Sequence, residues 1–220
     1  LLDEGESQVV ADRAALVGTV RIAAPSDLTR TLLLPLLDEF MAAHPGLQLR
    51  LSVADRVLDV LRDEVDVAIR YGALADSRLV ARPLADARPV CSASQDYLRR
   101  RGVPRTPQEL AAHNCITFDR GGRRHRAWRF CRDGHWTEVR VDGDRSVDDA
   151  SLAREWALAG AGVILKSGID QRRDLERGAL VPVLTDWQTE PYPLHALLPS
   201  GRFVPKRVRA LVDFLADRFQ

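Results

Sequence analysis

Three short segments carry the polar side chains best placed for ligand chemistry: Pro25-Ser26-Asp27, Asp55-Arg56 and Arg70-Tyr71-Gly72. Each follows a predicted strand, and open α/β sheets bind ligands at the carboxyl ends of their parallel strands. Ser26 stands where a helix is expected to begin. Its hydroxyl and the free amides of the first turn suit a carboxylate or another polar group, and they suit an ordinary helix cap equally well. Asp27 repels an anion and can cap the helix itself. Arg56 and Arg70 are placed either to face a ligand or to pair with Asp27, Asp55 or Asp66. In the second half Ser146-Val147-Asp148-Asp149 precedes another helix, where Asp148 or Asp149 reads first as a cap.

Covalent chemistry finds little support. Cys115 with His113, or Cys131 with His135, could serve as thiol and base, but neither pair has an orienting carboxylate nearby. Gly160-Ala161-Gly162 lies between a helix and a strand, the reverse of a dinucleotide-binding turn, and reads as a helix stop. There is no phosphate-binding Gly-rich loop, no His-Glu-x-x-His, no Gly-x-Ser-x-Gly and no Cys-x-x-Cys. No catalytic residue, metal site or cofactor is expected. The basic run from Arg120 to Arg132 holds six arginines and no acid, but Trp128 and Phe130 alternate along it. It reads as the solvated face of a hairpin, with phosphate contact as the other reading and Arg120 at its edge still able to face a ligand.

The elements that must position these residues follow from periodicity. A strand over 19–24, a turn at 25–27 and a helix over 28–43 are predicted, with Leu33, Leu36, Leu37, Phe40 and Met41 on the buried face. A strand over 47–53, a short helix over 57–63 and a strand over 65–69 complete a parallel α/β lobe. A strand centred on 89–91 leads to a boundary near residue 92 and an exposed turn around Arg99-Arg100-Arg101-Gly102. The second lobe is expected to hold a helix at 108–112, strands at 115–118, 127–131 and 137–141, a helix at 149–159 and a strand at 163–165. A strand over 193–198 and an amphipathic helix over 205–219 then return to the first lobe.

With 220 residues, 45% of them hydrophobic, the chain can bury a sizeable core, and a net charge of +1 gives no global pull toward nucleic acid or membrane. No stretch is long and apolar enough for a membrane span, and the first residues lack the order of a secretion signal, so a cytoplasmic location is expected. Three widely spaced cysteines suit a reducing compartment. The absence of an initiator Met and the acidic start suggest a piece of a longer polypeptide.

With these loops located, the sequence resembles the effector-binding domain of the LysR-type transcriptional regulators. The matching residues include Gly18-Thr19-Val20-Arg21-Ile22-Ala23-Ala24-Pro25, Leu34-Pro35-Leu36-Leu37, Asp55-Arg56 and Val65 to Gly72. Leu79 to Leu84, His113-Asn114-Cys115-Ile116, Asp148-Asp149, Ala159 to Val163 and Gly178-Ala179-Leu180-Val181 continue it. Order and spacing over about 200 residues, not any single motif, carry the match. One departure stands out: Leu165-Lys166-Ser167 replaces the usual apolar residue and Pro.

The resemblance implies an α/β fold of two Rossmann-like lobes joined by two crossover strands, of the periplasmic-binding-protein type II kind, with a small effector in the cleft. The first lobe would comprise residues 18–91 and 193–220, the second 92–192, and residues 1–17 the end of a linker helix. Ser26, Asp27, Arg56, Arg70 and Tyr71, with Pro25, would form one wall; Phe118, Arg120, Val147 and Asp148 would form the other. The implied partners are an unidentified small-molecule effector, further copies of the chain as dimer or tetramer, and promoter DNA through an amino-terminal winged helix-turn-helix absent from this sequence. A solute receptor of a transport system and a thiol-based redox sensor are the alternatives.

Overall fold

The computed structural model describes residues 15–55, 65–72, 79–120, 123–200 and 203–219, with the backbone alone at 120, 123 and 124. The chain opens with β1 (Gly18–Ala24), whose alternate residues Val20 and Ile22 are buried. A continuous helical run follows: α1 (Ser26–Leu28), a π-helical turn over Thr29–Leu33, and α2 (Leu34–Ala43). Then come β2 (Leu47–Val53), β3 (Val67–Tyr71) and β4 (Leu79–Ala85). The second half contains β5 (Pro89–Ala93), α3 (Gln95–Arg101), a 3-10 turn over Pro107–Ala112, β6 (Thr117–Arg120) and β7 (Arg123–Arg124). It continues with β8 (Ala127–Arg132), β9 (His135–Arg140), β10 (Ser146–Val147), α4 (Ala150–Leu158), β11 (Ile164–Ser167) and α5 (Gly168–Glu176). The last elements are β12 (Val181–Pro182), β13 (Leu194–Pro199) and α6 (Lys206–Phe219).

Five strands form one sheet in the order β2-β1-β3-β13-β4. β1 runs parallel to β2 and β3, pairing Gly18 with Leu47 and Ile22 with Val67, whereas β13 is antiparallel to β3 and β4. Its core joins Val20 and Ile22 to Leu33, Leu37 and Phe40 of the helical run and to Val208, Leu211 and Leu215 of α6. A separate core gathers Trp128, Phe130, Tyr97, Leu110 and Cys115 around the second half. Its strands form the sheets β11-β5-β12 and β10-β6-β7 and the hairpin β8–β9. Two buried cores over separate sheets are the physical basis of two lobes.

The expected hairpin on the basic run is present. Trp128 and Phe130 are buried while Arg129 and Arg132 are exposed, Arg129 pairing with Glu190 and Arg132 lying over the Trp187 ring. The glycine stop also holds. Gly160 sits at φ +76 after α4, and a Cβ at Gly162 would stand 2.3 Å from the Asn114 carbonyl oxygen. That close approach lets Cys115 bridge Val163.

Several local expectations are corrected. Residues 26 and 27 are already helical rather than a turn, because Pro25 takes the cap position with φ −64 and Thr29 closes onto its carbonyl. The three arginines at 99–101 belong to α3 rather than to an exposed turn. Ser94 caps α3 by accepting the Tyr97 N–H, and three cations in the last turn complement the helix dipole before Gly102, at φ +84. α5 went unforeseen; Ser167 caps it by accepting the Ile169 N–H. The strand expected over 65–69 starts two residues later, since Asp66 spends its carboxylate on the Arg21 N–H. β4 belongs to the first sheet and β5 pairs with β11 and β12, so the chain changes sheet between Ala85 and Pro89. The helix expected at 57–63 and most of the linker helix at 1–17 lie outside the described residues.

Candidate functional site

A cavity of about 570 Å³ opens between the strand ends of the first sheet and the second lobe. Pro25, Asp55, Arg70, Tyr71 and Gly72 line it from the first side, with Tyr192 from the returning segment. Ile116, Phe118, His125 and Trp128 form the opposite wall, and Ala150 and Ala153 of α4 contribute small side chains. The floor is Ile164, Leu165, Lys166 and Ser167 of β11 with Asp170 of α5. A cleft that combines aromatic and aliphatic side chains with convergent polar groups is the usual form of a small-molecule site.

β3 sets the first wall. Its apolar stretch Val67-Ala68-Ile69 is buried, which carries Arg70 and Tyr71 out to the strand end. The Tyr71 ring stacks on Tyr192, centroids 5.3 Å apart and planes within 12°. Gly72, at φ +93, makes the stack possible: a Cβ there would stand 2.9 Å from the Tyr192 ring. The Tyr71 hydroxyl donates to Asp170 Oδ1 at 2.7 Å. Burial, reinforced by the Asp170 charge, pushes its phenol far above the ordinary value, so it remains a donor.

Carboxylates tie the two lobes together beside the cavity. Asp55 accepts the Ser26 N–H at 3.0 Å, the Ser26 hydroxyl at 2.5 Å and the Ala150 N–H at 2.7 Å, so one side chain caps the starts of α1 and α4. Asp149 caps α4 from its own lobe, accepting the Ser151 and Leu152 N–H groups, and lies 2.9 Å from Ser26 Oγ. Burial pushes the Asp149 carboxyl up, but the bonds from Ser151, Ser26 and the backbone outweigh it and hold the group below its ordinary value.

Deeper in, Asp27 is fully buried. Arg154 donates to it at 2.8 Å, and Lys166 Nζ lies 2.8 Å from its other oxygen. Arg154 also donates to Asp174 at 2.7 Å. Burial lowers the Arg154 pKa, but Asp27 and Asp174 more than reverse that and fix it as a cation. Asp170 is 5% exposed, and burial, then the neighbouring Asp27 charge, push its carboxyl up to about 6 against the opposing influence of Lys166.

Of the residues expected at the site, Pro25, Arg70, Tyr71 and Phe118 line the cavity. Ser26 and Asp27 stand behind the wall, engaged in contacts between the lobes. Val147 packs against a small core around Ile116, and Asp148 is exposed; neither lines the cavity. Arg56 and the Arg120 side chain lie outside the described residues. Asp55, flagged with Arg56 only as part of a strand-end segment, also lines the cavity, and sequence reasoning missed Trp128, Lys166, Asp170 and Tyr192 as lining residues. The departure at Lys166-Ser167 was the one visible signal; Asp170 had none, because its helix was not recognised. The thiols are shielded from solvent. All three are buried and unpaired with one another; burial pushes Cys91 well up and Cys115 up to about 12.

Two α/β lobes around a lined cleft define a ligand-binding module of the periplasmic-binding-protein type II-like class. The chain belongs to the LysR family: the pattern described as LysR substrate binding domain matches residues 13–220. It is 33% identical to the HTH-type transcriptional regulator YhjC of Escherichia coli K12 over 93% of this chain and 69% of that protein. An HTH-type transcriptional regulator of Xanthomonas campestris is 32% identical over 99% of this chain and 64% of its own length. The chain thus spans about two thirds of these relatives. Among solved structures, the CrgA regulatory domain of Neisseria meningitidis superimposes with a TM-score of 0.82 at 28% identity, covering 93% of this chain and all of that one. Full-length AphB of Vibrio cholerae gives 0.78 at 27% identity over 96% of this chain and 72% of that one. Family and relatives together identify an effector-sensing regulatory domain, and they favour neither the transport receptor nor the redox sensor. The relatives are transcriptional regulators, not enzymes.

Proposed function

We propose that a small-molecule effector occupies the 570 Å³ cavity and that its preference for one arrangement of the lobes is passed to DNA-binding domains elsewhere in the full-length regulator. The observation that carries this reading is that both lobes line one cavity and are clasped beside it by Asp55–Ala150 and Asp27–Arg154. A ligand that touches both walls changes the free energy of that clasp, and it shifts the population only by its differential affinity for the two arrangements. Pro25, Arg70, Tyr71 and Phe118 are the expected residues that serve as contacts. Ser26 and Asp27 act as positioning groups, and the lobes divide between Ala85 and Pro89. The same reading places the protein in the cytoplasm, as a homo-oligomer acting on promoter DNA and without covalent chemistry.

The test is a metabolite screen by thermal shift and calorimetry, repeated with Ala150→Phe, which narrows the cavity from α4. Binding that disappears in the variant supports the reading. An equal affinity for both proteins places the ligand elsewhere and overturns it. In the full-length regulator, the effector and operator DNA must alter each other's affinity by the same factor.

A further inference from the structure

We propose that Asp170 is the polar anchor of the cavity and that it takes the protonated nitrogen of an amine whose apolar or aromatic body lies against Trp128 and Phe118. This rests on the reading of the cavity as the ligand site and adds the ligand's chemical class. The argument is a balance of partners. Each cation on the cavity wall already has a carboxylate: Lys166 Nζ lies 2.8 Å from Asp27, and Arg70 lies beside the charge of Asp55. The Asp55 carboxylate accepts three hydrogen bonds, Asp27 is shared by Arg154 and Lys166, and Asp174 by Arg154 and Arg177.

Asp170 lacks that provision. Among the described residues its Oδ1 accepts only the Tyr71 hydroxyl, and Oδ2 has only Lys166 at 3.8 Å, too far for a hydrogen bond. A carboxylate 5% exposed, lining a cavity and short of donors, is completed by a donor that carries positive charge. The pKa pushed up to about 6 is the same shortage expressed as a proton affinity. The opposite wall suits the rest of such a ligand, since the face of an aromatic ring attracts a cation and its bulk buries an apolar body.

The test uses three compounds sharing a phenylethyl body, namely phenethylamine, 2-phenylethanol and 3-phenylpropionate, titrated calorimetrically at neutral pH. The amine is expected to bind at least about tenfold more tightly than the alcohol or the carboxylate. Asp170→Asn is expected to erase that preference, and Trp128→Ala to weaken all three. Tyr71→Phe removes the one hydrogen bond that Asp170 accepts among the described residues, so the amine preference must persist or grow and its loss overturns the proposal; this arm stands even if Asp170→Asn fails to fold. Equal or stronger binding of the carboxylate, a preference surviving in Asp170→Asn, or no binding of the amine at about 10 mM overturns the proposal. Where Trp128→Ala weakens all three but the amine is not preferred, the ligand class fails and the cavity reading survives. Amine binding untouched by Asp170→Asn and by Trp128→Ala sinks the two together.

Discussion

The Asp55 carboxylate accepts the backbone N–H of Ala150 at 2.7 Å, so a side chain at a strand end of the first lobe caps the helix α4 of the second. The same carboxylate holds the Ser26 N–H at the start of the helical run 26–43. Helix starts leave N–H groups unsatisfied, and Asp55 satisfies one on each side of the cleft.

Asp55→Ala therefore strips two helix starts and one clasp between the lobes. It should cost about 1–3 kcal/mol by denaturant unfolding. Amide exchange at Ala150 and Ser151 should accelerate more than exchange in β2, and equal protection in both places would count against the clasp.

Arg154 holds two buried carboxylates, Asp27 and Asp174. Arg154→Met takes one of two cations from each carboxylate, leaving Lys166 on Asp27 and Arg177 on Asp174, and should cost up to about 3–5 kcal/mol. In a double-mutant cycle with Asp27→Asn the two losses should fall short of additivity, because each substitution removes part of the same interaction. Simple addition would mean that the pair does not act as one unit.

The Asp170 carboxyl, pushed up to about 6, has a definite pH signature. Its folded pKa is raised, so its contribution to stability is fully present below its ordinary value and is lost as pH rises through about 6. Asp170→Asn carries no such titration, so the variant should gain stability relative to wild type between about pH 4 and 7. Asp149 works in the other direction: its carboxyl is held low, so that contribution is present at neutral pH and is lost in acid. Urea midpoints of wild type and Asp170→Asn across this range check the sign.

Gly162→Ala should be among the more damaging single-methyl additions, at about 1–3 kcal/mol, since the new Cβ meets the Asn114 carbonyl at 2.3 Å. The thermal midpoint reads the effect. Gly134 is the opposite case, at φ +79 with nothing within 4 Å, so Gly134→Ala isolates backbone strain while Gly162→Ala isolates collision.

The cysteines should resist aromatic disulfide reagents until the protein unfolds, because Cys91, Cys115 and Cys131 are buried and Cys115 is held protonated up to about 12. Fast labelling of a thiol in the native state would reopen a redox role.

Strand and helix periodicity were legible where each element buries one regular face. The alternation in 19–24 and 127–131 and the stripe Val208, Leu211, Val212, Leu215 appear in β1, β8 and α6 as read. α3 and α5 escaped because their ends are set by single capping side chains, Ser94 and Ser167, amid charged sequence with no clean apolar stripe.

Sequence by itself determined the family, the alternation of elements and the residues at the ends of β1 and β3, all of which follow from local periodicity and the order of motifs. Only the tertiary structure decided that Ser26 and Asp27 are spent on contacts between the lobes, and that Lys166 meets Asp27 across 139 positions of chain. It also decided that Asp170, hidden in an unrecognised helix, faces the cavity with too few donors. A side chain's function depends on which partners it has left after folding, and those partners come from chain segments that no local pattern connects.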